Sequence, residues 1–95
     1  AVQNFIPEEF ALHPAYPNPF NPVTTIHYDV NQTGRVQLKV YDMMGREVAE
    51  LVNGVVLAGK HRLHWNTPGN MASGIYLVQI NNGQKIFNQR ITLLK

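Results

Sequence analysis

Gly74-Ile75-Tyr76-Leu77-Val78-Gln79-Ile80-Asn81-Asn82-Gly83-Gln84-Lys85-Ile86-Phe87-Asn88-Gln89-Arg90-Ile91-Thr92-Leu93-Leu94 is the stretch that decides the fold. Residues 74–80 read as apolar on both faces, which is expected of a central strand covered on each side. Asn82-Gly83 is the strongest hairpin signal in the chain, because a type I′ turn needs two residues tolerant of positive φ. In the return strand Phe87, Ile91 and Leu93 share a face that Lys85, Gln89 and Arg90 interrupt.

The same period of two recurs upstream. Ile26, Tyr28 and Val30 alternate with Thr25, His27 and Asp29, and Val36, Leu38 and Val40 alternate with Arg35, Gln37 and Lys39. Asn31-Gln32-Thr33-Gly34 between these runs suits a hairpin. Residues 46–52 have a spacing shared by a strand and one helical turn. Residues 59–65 set His61, Leu63 and Trp65 against Lys60, Arg62 and His64, and residues 66–70 are a loop by composition. Residues 1–11 read as a linker or lead-in to a preceding domain, and residues 12–95 as one domain. Three prolines in Tyr16-Pro17-Asn18-Pro19-Phe20-Asn21-Pro22 forbid helix there. Strands at intervals of roughly ten residues predict an all-β, Ig-like or fibronectin-III-like antiparallel sandwich of about seven strands.

Composition removes several classes of function. Ninety-five residues suffice for one core, and a formal charge of +2 is too small to imply nucleic acid. Apolar runs such as Val55-Val56-Leu57-Ala58 are far shorter than the roughly 20 residues of a membrane span. The start, Ala1-Val2-Gln3-Asn4, has no basic or apolar signal region and reads as an excised domain or processed product. The absence of cysteine excludes thiol catalysis.

Catalytic, cofactor and metal sites are all expected to be absent. Ser73, the only serine, lies in Asn70-Met71-Ala72-Ser73-Gly74, which lacks the first glycine of a nucleophile elbow. Glu8, Glu9, Asp29, Asp42, Glu47 and Glu50 form no recognisable carboxyl pair, and Asp29 and Asp42 read as turn caps at strand ends. His61 and His64 point to opposite faces of a strand and cannot share a metal; His13 and His27 add no ligand spacing. Tyr28 and Tyr76 fall on apolar faces. Only Tyr41 and Phe20 are therefore left as rings for a carbohydrate platform.

One succession of blocks is more specific than these. It runs Tyr16-Pro17-Asn18-Pro19-Phe20-Asn21-Pro22-Val23-Thr24-Thr25-Ile26-His27-Tyr28, then Val40-Tyr41-Asp42-Met43-Met44-Gly45-Arg46-Glu47-Val48. It continues through Ala58-Gly59-Lys60-His61-Arg62-Leu63-His64-Trp65 and Ala72-Ser73-Gly74-Ile75-Tyr76, and ends Arg90-Ile91-Thr92-Leu93-Leu94-Lys95. In order and spacing this resembles the type A C-terminal sorting domain of the type IX (Por) secretion system, from about Phe10 to Lys95. Ala15 stands where members often have asparagine, and Asn66-Thr67-Pro68 where many have an Asp-Gly turn. The blocks more distantly resemble the Ig-like domain of flagellar hook-capping proteins.

The resemblance implies a carried signal without catalytic activity, at the C-terminus of a larger secreted protein of Bacteroidota-like bacteria. By that analogy the parent crosses the periplasm, the domain directs it through the outer-membrane translocon, and a cell-surface sortase removes the domain. The implied partners are translocon, sortase and covalently linked parent, with no cofactor, nucleic acid or membrane span. The parent then reaches the cell surface or the medium. Structural roles are implied for Tyr16, Pro17, Asn18, Pro19, Phe20, Asn21, Pro22, Asp42, Gly45, Gly59, Trp65, Ser73, Gly74 and Tyr76. Ile91, Thr92, Leu93, Leu94 and Lys95 are the candidate recognition tail, offering backbone groups and one charge by strand addition. The alternatives from another class are a carbohydrate-binding module on a secreted hydrolase and a passive Ig-like spacer.

Overall fold

The computed structural model describes residues 6–95. Alternating sequence becomes seven strands: β1 (Ala11–Leu12), β2 (Val23–Val30), β3 (Gly34–Asp42), β4 (Glu47–Val56), β5 (Gly59–Asn66), β6 (Gly74–Asn81) and β7 (Ile86–Leu93). None of the described residues is helical. One sheet has the order β1-β2-β5 and the other β4-β3-β6-β7, with antiparallel pairing throughout. Because β4 lies beside β3 rather than in the sheet of β2 and β5, the division is fibronectin-like and not that of an Ig constant domain.

The core lies between the sheets. Ile26, Tyr28, Val30 and Trp65 face Val36, Leu38, Val40, Tyr76, Val78, Ile80, Ile91 and Leu93, and all are buried. Period-2 alternation delivers these side chains to one side of each strand, and each fully buried aliphatic contributes about 1.5–3 kcal/mol. Phe10 is 3% exposed and packs at 6.0 Å from Phe87, while Ala11 pairs with Asp29. Both residues therefore belong physically to the sandwich. Residues 1–5 of the expected lead-in lie outside the described residues.

Three local expectations need correction. Residues 31–34 do not close a hairpin. β2 and β3 lie in different sheets, so the link crosses the sandwich, and alternation alone reads the same for strands that face each other as for strands that pair. β6 is covered on one face only: Tyr76, Val78 and Ile80 are buried, whereas Ile75 is 40% exposed. Among the described residues the two-layer sandwich has no third layer to place over its outer face. The Asn82-Gly83 turn is not type I′, since among the described residues no non-glycine residue has positive φ. Asn81 pairs with Ile86, so the loop holds four residues, and Asn82 Oδ1 accepts the N–H groups of Gln84 and Lys85 at 2.9 and 2.7 Å. The ambiguous spacing of residues 46–52 resolves to strand from Glu47 onward. Register shifts after Leu38 and Val40 skip Leu51 and Val48, which blurs the alternation into a helix-like spacing.

Candidate functional site at the terminal strand

The proline-rich block, residues 16–22, is a clamp between the two sheets. Tyr16 exchanges backbone hydrogen bonds with Thr25 (3.0 and 2.9 Å), and Thr24 Oγ1, fully buried, donates to Pro17 O at 2.7 Å. These contacts fix one end to β2. Pro22 O accepts both the N–H and the hydroxyl of Thr67, at 3.0 and 2.9 Å, which fixes the other end to the loop after β5. The bonds before Pro17, Pro19 and Pro22 are cis. Between the anchors Phe20 drives its ring into the core, 2% exposed and 6.1 Å from the Trp65 ring. Phe20 is thus unavailable to a sugar, contrary to its expected place among the accessible aromatics. Tyr41 is half-buried, and the proline block instead exposes Tyr16, at 77%.

The middle of the block runs along the outer edge of β7. Asn18 Nδ2 donates to Arg90 O (3.1 Å), and Thr92 N donates back to Asn18 Oδ1 (3.0 Å). Phe20 N then donates to Thr92 O and Leu94 N to Phe20 O, each at 2.9 Å. Along residues 90–94 these outward-facing backbone groups are already bonded. One Asn side chain and one backbone unit perform the edge protection that sheets otherwise achieve with charges or proline. Gln89, on the inward row with Phe87 and Ile91, accepts the Ala15 N–H at 2.7 Å and donates to His13 O at 2.9 Å. Its role was missed in the sequence, where the only signal was one polar residue on an apolar face.

The tail divides by parity. Ile91 and Leu93 are fully buried, Thr92 is half-buried, and Leu94 is 53% exposed. Lys95 is held at both ends, its backbone N–H donating to Ser73 Oγ (3.0 Å) and its Nζ to Gly69 O (2.6 Å). Ser73 thereby receives the chain terminus. Beside it Gly74, paired with Leu93, has φ +155°, and Tyr76 Oη donates to Ala72 O at 2.6 Å. The Ser73-Gly74-Tyr76 block and the tail are one locus.

The model of the family described as "Secretion system C-terminal sorting domain" matches residues 14–93, which takes in the proline clamp, the core strands and β7 to its end. The chain belongs to that family. Its role is that of a C-terminal sorting signal of type IX secretion, which implies export to the cell surface or the extracellular space and interaction with the secretion machinery. A search of curated proteins found no match.

Two further motif residues of the sorting domain, Asp42 and Gly45, sit in the turn before β4. Asp42 Oδ1 accepts the N–H groups of Met44 and Arg46, both at 2.9 Å, and Oδ2 accepts Arg46 Nε at 2.8 Å. The backbone hydrogen bond from Arg46, reinforced by its guanidinium and the Met44 N–H, holds the Asp42 carboxyl below its usual range. Gly45 closes this turn at φ +84°, where a side chain is strained. Asp29 is not the turn cap expected of it; it takes a hydrogen bond at 2.7 Å with His13 Nε2 on the outer face of β2.

The histidines disperse into separate contacts. His61 stacks on Tyr28 at 5.2 Å and bonds Leu57 O, while His64 Nδ1 meets Thr25 Oγ1. His13, His27, Asp29, Lys60, His61 and Arg62 line an open cleft of about 290 Å³. Among the described residues no three His, Cys, Asp or Glu side chains converge for a metal. No helix there is long and apolar enough to cross a membrane.

Proposed function

We propose that this domain is the export address of a larger parent protein, that the type IX outer-membrane translocon reads the tail at residues 91–95, and that a cell-surface sortase then severs the domain at or before residues 1–11. The observation that carries the reading is the family match from the proline clamp through β7. The tail geometry supports a particular mode of recognition. Backbone groups along residues 90–94 are engaged by Asn18 and Phe20, so the translocon reads exposed side chains, above all Leu94 and Lys95, on an already folded domain. Asn18 and Ser73, which hold the tail, are positioning residues.

This mode dictates the test. Deleting residues 91–95 would remove Ile91 and Leu93, both at 0% exposure, and confuse lost recognition with lost folding. A reporter fused to the whole chain is instead expressed in a bacterium with a working type IX system, unaltered and as Leu94→Asp with Lys95→Ala. The unaltered fusion is expected at the surface or in the medium with the domain removed, and the variant in the periplasm with its fold intact by Trp65 emission. Periplasmic retention of the unaltered fusion would overturn the sorting reading in that host. Normal export of the variant would overturn tail recognition alone, and export with the domain still attached would overturn sortase removal.

A further inference from the structure

The two edges of the four-stranded sheet are treated differently. Residues 18–20 cover the outer edge of β7 along residues 90–94, whereas β4 pairs with β3 alone among the described residues. In an antiparallel sheet the hydrogen-bonding direction alternates residue by residue. With Thr92 bonding outward from β7, the registers across β6 and β3 turn Val52, Gly54 and Val56 toward β3. The backbone groups of Asn53 and Val55 therefore face away from the sheet.

The guarding of this edge is also uneven. Glu47 and Glu50, both tied to Lys39 (2.9 and 3.7 Å), protect the first half of β4. Residues 51–58 contain neither a charge nor a proline, the usual deterrents to strand addition. Val55 is 73% and Leu57 71% exposed. The Asn53 side chain does not block the edge. Arg35 Nη2 donates to its Oδ1 at 2.6 Å, and its Nδ2 donates to Glu50 Oε1 at 3.2 Å, which hold it over the face of the sheet.

We propose that residues 52–56 of β4 pair with the same segment of a second copy of this chain, merging two four-stranded sheets into one of eight. Self-pairing is favoured over a foreign strand because the segment is complementary to itself. An antiparallel two-fold centred on Gly54 sets Val52 against Val56 and Asn53 against Val55 and opposes no charge to itself. Glu47 and Glu50 fall outside the paired segment. The contact is isologous and closes at the dimer, so it does not propagate into a fibre.

Sedimentation equilibrium of the purified chain, from about 1 µM to about 500 µM, is expected to show a monomer–dimer equilibrium. Val55→Pro removes an N–H that points outward and leaves the ladder to β3 intact; Val55→Lys puts a charge on the edge. Each change is made twice across the two-fold, so each is expected to weaken association at least about tenfold. Asn88→Pro removes the corresponding outward donor on β7 and should leave the dimer unchanged. Trp65 emission checks folding, and Val55→Lys decides the question if the proline variant does not fold. A monomer at every concentration, a dimer indifferent to Val55→Lys, or a dimer abolished by Asn88→Pro would each overturn the proposal.

Discussion

Replacing Phe20 by alanine tests whether the proline block is a structural clamp or a surface feature. The ring is 2% exposed and lies 6.1 Å from Trp65 at an interplanar angle of 43°, within the buried core, and the Phe20 backbone bridges to Leu93. Truncating a buried phenylalanine costs about 3–5 kcal/mol in transfer and cavity terms. A domain of this size has about 5–10 kcal/mol in all, so the variant should retain only a marginal fold. At about 4–8 °C per kcal/mol for a domain of this length, Tm should fall by at least about 12 °C. Thermal unfolding followed by circular dichroism gives the shift. Emission from Trp65, the only tryptophan, reports the vacated contact directly and should move to the red. Tyr16→Ala, at 77% exposure in the same block, is the internal comparison and should stay within about 0.5 kcal/mol of the parent. A Phe20→Ala protein that melts within about 3 °C of the parent with unaltered emission would refute the clamp.

Three further outcomes follow from single contacts. Asn18→Ala removes both bonds to the β7 edge and should cost about 1–2 kcal/mol by denaturant unfolding, with hydrogen exchange accelerated at the Thr92 amide more than elsewhere. Gly45→Ala forces a β-carbon onto φ +84° and should cost about 1 kcal/mol with no change in spectrum. For Asp42 the sign follows from a carboxyl pKa lowered on folding. Its contribution is complete above the ordinary aspartate range near 3.9 and is lost as pH falls through the lower folded value. Asp42→Asn should therefore melt below the parent at neutral pH, by a margin that shrinks under about pH 4; a margin constant to about pH 2.5 would refute the assignment.

What the sequence disclosed was decided by the kind of signal each residue carries. Ile26, Tyr28 and Val30 declare a half-buried strand because side-chain direction has a strict period of two. That period holds no information about which sheet a strand joins, so the crossing at residues 31–34 read as a hairpin. In β4 the extra residues Val48 and Leu51 break the period itself, and alternation fails where bulges bend the strand. Asn82-Gly83 correctly placed a turn, but its geometry depended on how the Asn82 side chain would bond. At the candidate site, the proline block and the tail were legible as motifs. Their union was not, because Asn18 and Thr92 are 74 positions apart and neither residue type announces a partner.

That union changes what it means for a machine to read the end of this chain. Ile91 and Leu93 are core residues, Thr92 and Leu94 are bonded through their backbones to Asn18 and Phe20, and Lys95 is tied to Ser73 and Gly69. Each of these contacts spans tens of residues, so the tail holds its shape only when the proline clamp, the core and the loop before β6 are all in place. A short linear peptide of the last five residues would present the same letters without the clamp that orders them. A receptor matched to the ordered tail would therefore distinguish folded from unfolded cargo ends without inspecting the rest of the domain. Competition for export by the free pentapeptide and by the intact domain separates the two possibilities. Only the domain should compete if the fold is what is read, and equal competition by the peptide would return the signal to the bare sequence.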